Sequence, residues 1–312
     1  MYDIAIIGSG VSGLGAALYA GRFELKTIVI GDKSGGTIIL TDEIANYPGF
    51  SNISGIDLAD KLKKHVQDYD VEFLDSKVKD IKKGKTCFGL STVNKNIRTK
   101  TIIFATGTEW KKLKVPGESE FTGKGVHYCA LCDGAFYKNK IVAVVGGSDS
   151  AAKEALLLTK YAKKVYIIYR GEKIKPEPIN EKKVAANKQI EIINYTNVTK
   201  IKGDKFVSSI ILDKEYKGNK ELKLDGLFVD IGHIALSKEA KDLGVKLNEK
   251  GEIIINCDGN TNIPGVFGAG DVCNTKFKQA ITGVAEGVSA TYSAYTYVTN
   301  TKILCTDDEV EK

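Results

Sequence analysis

A strand that ends in a glycine turn and runs straight into a helix occurs twice in this chain, and that repetition limits the fold more than any other feature. Residues 3–7 are an unbroken apolar run, Gly8, Ser9, Gly10, Val11, Ser12 and Gly13 follow as GxGxxG, and residues 14–20 read as the helix behind the turn. Glycines at that spacing permit a tight turn, let the backbone approach a pyrophosphate and allow close helix packing, with the helix amides facing the phosphates. A second strand at 27–30 completes the unit, and Asp32 stands slightly late for the acid that binds a ribose. At 140–145 another buried-type strand leads into Gly146, Gly147, Ser148, Asp149, Ser150 and Ala151, with a helix at 152–159. A length of 312 residues is enough for two domains. The expectation is an α/β protein of two Rossmann-like, three-layer dinucleotide-binding domains.

The two turns are not equivalent. Ser148 occupies the second glycine of the second motif, where a side chain stands in the path of a pyrophosphate. The strand at 164–169 ends in Arg170 and scattered lysines, a poor set for a 2′-phosphate, which is best met by several guanidiniums. The fold of the second unit is expected to persist while its nucleotide site is weakened.

Around these units the chain supplies loops and a return. Gly35 and Gly36 open a loop through Asn46, Tyr47, Pro48 and Gly49, placed where an aromatic cofactor ring could lie. A helix at 56–66 is expected to bury Ile56, Ala59, Leu62 and Val66, and 71–102 read as hairpins over the first domain. The strand at 101–105 ends in Ala105, Thr106 and Gly107, and lysines with Pro116 and Gly117 mark a crossover. After 227–231, His233 reads as a linker residue packed between domains; the chain then returns to the first domain, so the second is inserted in it. A short strand leads through Gly270 to Asp271, which can accept bonds from sugar hydroxyls, and Gln279 and Ala280 open a long helix whose start can meet a cofactor's polar edge. The tail at 306–312 is acidic and expected to fray.

Cys129, Ala130, Leu131, Cys132 and Asp133 form the chemical focus. Two thiols at this spacing can close a disulfide or supply two zinc ligands, and spacing alone leaves both open. The remaining cysteines, Cys87, Cys257, Cys273 and Cys305, are isolated, and the histidines are only His65, His127 and His233, so a metal is the poorer expectation. A net charge of +6, dispersed along the chain, fits either a lysine-rich solvated surface or an acidic partner. No compact basic stripe with aromatics suggests nucleic acid, and no run approaches the roughly 18 apolar residues of a membrane span. The start reads as a strand without a leader, from which a cytoplasmic protein is expected.

In their order and spacing, the two glycine turns, Gly35-Gly36, Ala105-Thr106-Gly107, the cysteine pair and Gly268-Ala269-Gly270-Asp271 resemble the low-molecular-weight thioredoxin reductases over essentially the whole chain. The cysteine pair lies directly before the second turn, unlike the glutathione-reductase type, whose redox cysteines lie in the FAD domain. The resemblance implies non-covalent FAD in a domain of residues 1–113 and 241–312, and a redox disulfide in residues 114–240. It implies Cys132 as the flavin-proximal thiol, Cys129 as the thiol that meets the partner's disulfide, and Asp133 as the acid. Asp271 would hold the ribityl chain, Gln279 and Ala280 would abut the flavin and Asn46 would lie near it. Domain rotation, thioredoxin as substrate and a homodimer also follow from it. The departures at Ser148, at 169–173 and at Ile234-Ala235-Leu236 resemble a minority branch that takes electrons from reduced ferredoxin; an NAD(P)H-dependent reductase is the alternative, and a flavin oxidase or a non-enzymatic flavin-binding module a more distant one.

Overall fold

The computed structural model describes residues 1–301, so the acidic tail and Cys305 lie outside the described residues. The chain divides into two compact units, one of residues 1–109 with those from 234 onward, the other of residues 110–233. The changeovers thus fall at 109/110 and 233/234, against 113/114 and 240/241 expected from the sequence. Each unit is a layered, Rossmann-like α/β structure.

In the first unit β1 (Tyr2–Ile7), β2 (Thr27–Ile30), β3 (Val71–Leu74), β4 (Val78–Lys83), β5 (Phe88–Thr92) and β6 (Asn96–Phe104) take the sheet order β3-β2-β1-β6-β5-β4. The strands from β3 to β6 in that order are parallel, β5 and β4 are antiparallel additions, and the late strand Val266–Gly268 returns to pair in parallel with β6. The apolar run of β1 follows from burial on both faces. Ile4 and Ile6 pack with Leu14, Ala17 and Ala20 of α1 (Val11–Arg22) and with Ala290 of the helix Ala280–Asn300. Ala5 and Ile7 face the other way, towards Phe88, Leu90 and Phe104. Each fully buried isoleucine here contributes about 2 kcal/mol of transfer free energy.

Two local expectations change. Residues 71–74, expected in a hairpin, form the parallel edge strand beside β2, in register from Thr27 opposite Val71 to Ile30 opposite Leu74. Four residues carry too little alternation to decide this locally, and a long-range pairing decides it. Helix α2 (Gly55–Val66) starts at Ser54, whose hydroxyl accepts from the Asp57 amide, and buries Leu58, Ala59 and Val66. Ile56 is 54% exposed. It lies about 200° round the helix from Leu58, so it cannot share that face.

In the second unit five parallel strands take the order Ile190–Ile193, Lys164–Ile168, Ile141–Val145, Gly226–Val229, Val126–His127. An antiparallel layer of Val198–Gly203, Val207–Tyr216 and Asn219–Lys223 contributes Ile201, Val207 and Ile210 to a core that includes Ala143 and Leu227. A second core joins Val142, Val144 and Phe228 to Ala151, Ala155 and Leu158 of the helix Asp149–Leu158 and to Val184 of Pro178–Ala186. Alternate strand residues thus enter different cores, which makes three layers. His233 is exposed and lies beside Trp110, with ring centroids 6.4 Å apart. No helix among the described residues is long and apolar enough to cross a membrane.

Candidate active site

Cys129 and Cys132 are joined as a disulfide across one helical turn, Ala130–Asp133. The turn forms because Cys129 is extended and its sulfur accepts from the Cys132 amide at 3.1 Å, while the Asp133 amide donates to the Cys129 carbonyl at 3.2 Å. Cys129 is buried and Cys132 is exposed. The two sulfurs are thus bonded to each other, and among the described residues no group of three or more His, Cys, Asp or Glu side chains could hold a metal ion.

Behind the disulfide the expected acid Asp133 meets further polar residues, of which Tyr137 and Glu154 were not singled out by the sequence. Asp133 Oδ2 lies 2.9 Å from His127 Nδ1, and His127 Nε2 lies 2.7 Å from the Tyr137 hydroxyl. His127 is held by the strand Val126–His127 against Phe228, and Tyr137 returns through the turn Gly134–Tyr137. Burial lowers the His127 proton affinity against the pull of Asp133, and burial together with the Asp133 and Asp225 charges pushes the Tyr137 phenol up to about 12. Glu154 Oε1 accepts from the Ala130 amide at 3.2 Å, and burial, reinforced by Asp230, raises that carboxyl to about 8. A pattern of isolated polar residues carries no local sequence signal for such contacts.

The first glycine turn is a packed but uncapped cradle. Gly8 has φ +116, and a Cβ there would overlap the Ala105 carbonyl; a Cβ on Gly13 would overlap the Gly8 carbonyl. The Gly35 amide donates to the Ser9 carbonyl at 2.9 Å, Gly36 packs on Gly10, and the Ser12 hydroxyl fills the space beside Gly270. Gly10 precedes α1 with no side-chain cap, and Val11 begins a first turn without an acid. The α1 amides are thus left for an anionic ligand, which fits the pyrophosphate of a dinucleotide. Asn46 Nδ2 donates to Gln279 Oε1 at 2.9 Å, beside Ala280 at the start of its helix. Thr106 donates its hydroxyl to the Leu236 carbonyl, and the Gly107 carbonyl accepts from the Leu236 amide. Asp271 follows Gly270 and its carbonyl accepts from Lys278 Nζ at 2.6 Å. Asp32 is exposed and paired with Lys77 at 3.2 Å, between Gly31, which packs on Ser9, and Lys33, whose carbonyl accepts from the Ser9 hydroxyl.

The second turn keeps its shape and is closed by its own side chains. Ser148 Oγ accepts from the Ala151 amide at 3.3 Å, so the expected obstruction is also a helix cap. Asp149 puts a carboxylate in the first helical turn, where Lys153 pairs with it at 2.7 Å and the Glu177 amide and Asn180 Nδ2 each donate to it at 2.8 Å. The Tyr169 ring packs over both Gly147 and Gly171, and the Lys175 amide donates to the Gly147 carbonyl at 2.7 Å.

The chain, with its two glycine-turn units, matches the pyridine nucleotide-disulphide oxidoreductases over residues 2–287. A thioredoxin reductase of Listeria innocua is 38% identical over 97% of this chain and 95% of its own length. The crystal structure of Lactococcus lactis thioredoxin reductase aligns with a TM-score of 0.93 at 36% identity, covering 96% of this chain and all of the other. A ferredoxin-flavin thioredoxin reductase from Clostridium acetobutylicum is 32% identical over 96% of this chain and 99% of its own, with a TM-score of 0.52. The chain belongs to the low-molecular-weight thioredoxin reductase family.

Proposed function

We propose that the protein is an FAD-dependent thioredoxin reductase that takes its electrons from reduced ferredoxin. The observation that carries the donor is the contrast between its two glycine turns. In the first, α1 has no side-chain cap and no acid in its own first turn. In the second, Ser148 holds one amide, Asp149 adds negative charge and Tyr169 covers Gly147. A nucleotide phosphate would have to displace a satisfied cap and approach a carboxylate. The net charge of +6 also suits an acidic electron carrier. An NAD(P)H-dependent reductase is the second reading, favoured by the backbone shape the second turn keeps at Gly146, with φ +156.

In this reading Gly8, Ser9, Gly10, Val11, Ser12 and Gly13 hold the FAD pyrophosphate, Gly35, Gly36, Ala105, Thr106, Gly107 and Gly270 shape the cradle, and Asp271 binds the ribityl chain. Asn46, Gln279 and Ala280 bound the ring, and Asp32 serves the ribose only by leaving Lys77. Bound flavin, once reduced by the donor, would supply the two electrons that open the Cys129–Cys132 disulfide. The exposed Cys132 takes the flavin-facing role. Cys129 is the thiol that attacks thioredoxin, and the family's domain rotation is expected to bring it to its partner. Asp133 accepts the proton of the attacking thiol and returns it to the departing sulfur. Residues 1–113 and 241–312 are the FAD domain in this account, and 114–240 the disulfide domain; a cytoplasmic homodimer is its expected setting.

The test is anaerobic. Protein reduced stoichiometrically with dithionite and mixed with oxidised thioredoxin is expected to recover its flavin absorbance as thioredoxin thiols appear in equal two-electron amounts. Flavin that stays bleached while thioredoxin stays oxidised would refute the substrate.

A further inference from the structure

Resting on the reading of Cys129 and Cys132 as the exchange disulfide and Asp133 as its acid, we propose that His127 is a positioning residue that holds one oxygen of Asp133 and presents the other to the reacting sulfurs. Three features support this. His127 is 8% exposed, stacked on Phe228 with ring centroids 5.3 Å apart, so its ring has little freedom. Its two nitrogens are both engaged, Nδ1 by Asp133 Oδ2 at 2.9 Å and Nε2 by the Tyr137 hydroxyl at 2.7 Å. The third is direction: a phenol held up at about 12 keeps its proton and donates it to Nε2, so the neutral ring carries its hydrogen on Nδ1 and donates to Asp133. Both hydrogen bonds run one way, from Tyr137 through His127 to the carboxylate. Lys140 and Asp225 are the other charged groups of the cleft that His127 and Tyr137 line.

The exchange shows why orientation matters. Cys129 loses its proton as its sulfur attacks one sulfur of the substrate disulfide, and the other substrate sulfur leaves with the bonding pair and takes a proton. Cys132 then loses its proton and attacks Cys129, expelling the second substrate sulfur, which is protonated in turn. Two electrons and two protons pass, the enzyme dithiol becomes a disulfide, and the substrate disulfide becomes a dithiol. A carboxylate that shuttles each proton between attacking and leaving sulfurs serves only in the orientation that reaches both.

The experiment compares two small disulfides on full-length reduced protein. Bis(2-hydroxyethyl) disulfide releases an alkyl thiolate that must be protonated, whereas 5,5′-dithiobis(2-nitrobenzoate) releases an aryl thiolate that leaves without a proton. His127→Phe, which keeps the stacked ring and removes both hydrogen bonds, is expected to slow the alkyl disulfide about tenfold and the aryl disulfide only about threefold, because the aryl reaction needs the carboxylate for the attacking thiol's proton alone. His127→Asn, which places an amide donor near the Nδ1 position, is expected to recover the alkyl rate to within about threefold of wild type. If the Phe variant does not fold, His127→Gln, with its donor nearer the Nε2 position, takes its place. Equal losses on both disulfides, or no recovery by Asn, would overturn the proposal. Normal behaviour with the alkyl disulfide alongside inactivity towards thioredoxin would refute the substrate reading and leave the role of His127 standing.

Discussion

Cys132→Ser is expected to purify yellow, to accept electrons into its flavin as the wild type does, and to lose turnover of thioredoxin by a factor on the order of a thousand or more. Thiol–disulfide exchange needs two sulfurs that close on each other, and here both lie in one turn whose geometry depends on the Cys129 sulfur accepting the Cys132 amide. Serine at 132 keeps the turn, because the amide remains, and removes the resolving sulfur. The expected signature is a trapped mixed disulfide at Cys129 after one encounter with thioredoxin. Turnover at the wild-type rate in both single-serine variants would remove the disulfide from the mechanism.

A pair of substitutions in the first turn separates folding from flavin binding. Gly8→Val places a branched side chain at φ +116, against the Ala105 carbonyl, where no rotamer gives relief. It is expected to cost about 3 kcal/mol or more, counting strain and displaced backbone, and to yield colourless, poorly folded protein. Gly10→Ala is different: its φ is an ordinary −77 and the added methyl would meet Gly36 Cα at 3.6 Å, a normal contact. That variant is expected to keep its melting temperature and to bind FAD about tenfold or more weakly, because the methyl enters the ligand's approach. Thermal melts of the apoproteins and FAD titrations measure the two effects separately. Unchanged FAD affinity in Gly10→Ala would remove the pyrophosphate from this turn.

Much of the fold was legible because it rests on local pattern. The run into Gly8 and the helix after it predict β1, the turn and the middle of α1, which runs longer at both ends, and the cysteine spacing permits the bond that one helical turn closes. What was not legible depends on partners distant in sequence. Val71–Leu74 joins the parallel sheet because β2 offers an edge, and a four-residue run does not announce that. Tyr169 reaches Gly147 from 22 positions away, and no periodicity connects them. His127 and Tyr137 are ten residues apart and meet because a strand and a tight turn converge on Phe228. Ser148 was half legible. Its side chain was expected to obstruct a phosphate, whereas its preference for the position before a helix, which explains the cap it makes, is an equally local signal.

The claim at the centre of this account is that one glycine turn serves a dinucleotide while the other, closed by Ser148, Asp149 and Tyr169, does not. The most direct measurement is the anaerobic visible absorbance of the FAD-loaded protein, titrated separately with NADPH, NADH and reduced ferredoxin. Rapid bleaching by reduced ferredoxin, with the flavin band unchanged by either nicotinamide, is the predicted result. Rapid bleaching by NADPH or NADH would contradict it, and would mean that the second turn opens to a nucleotide despite the groups that cover it.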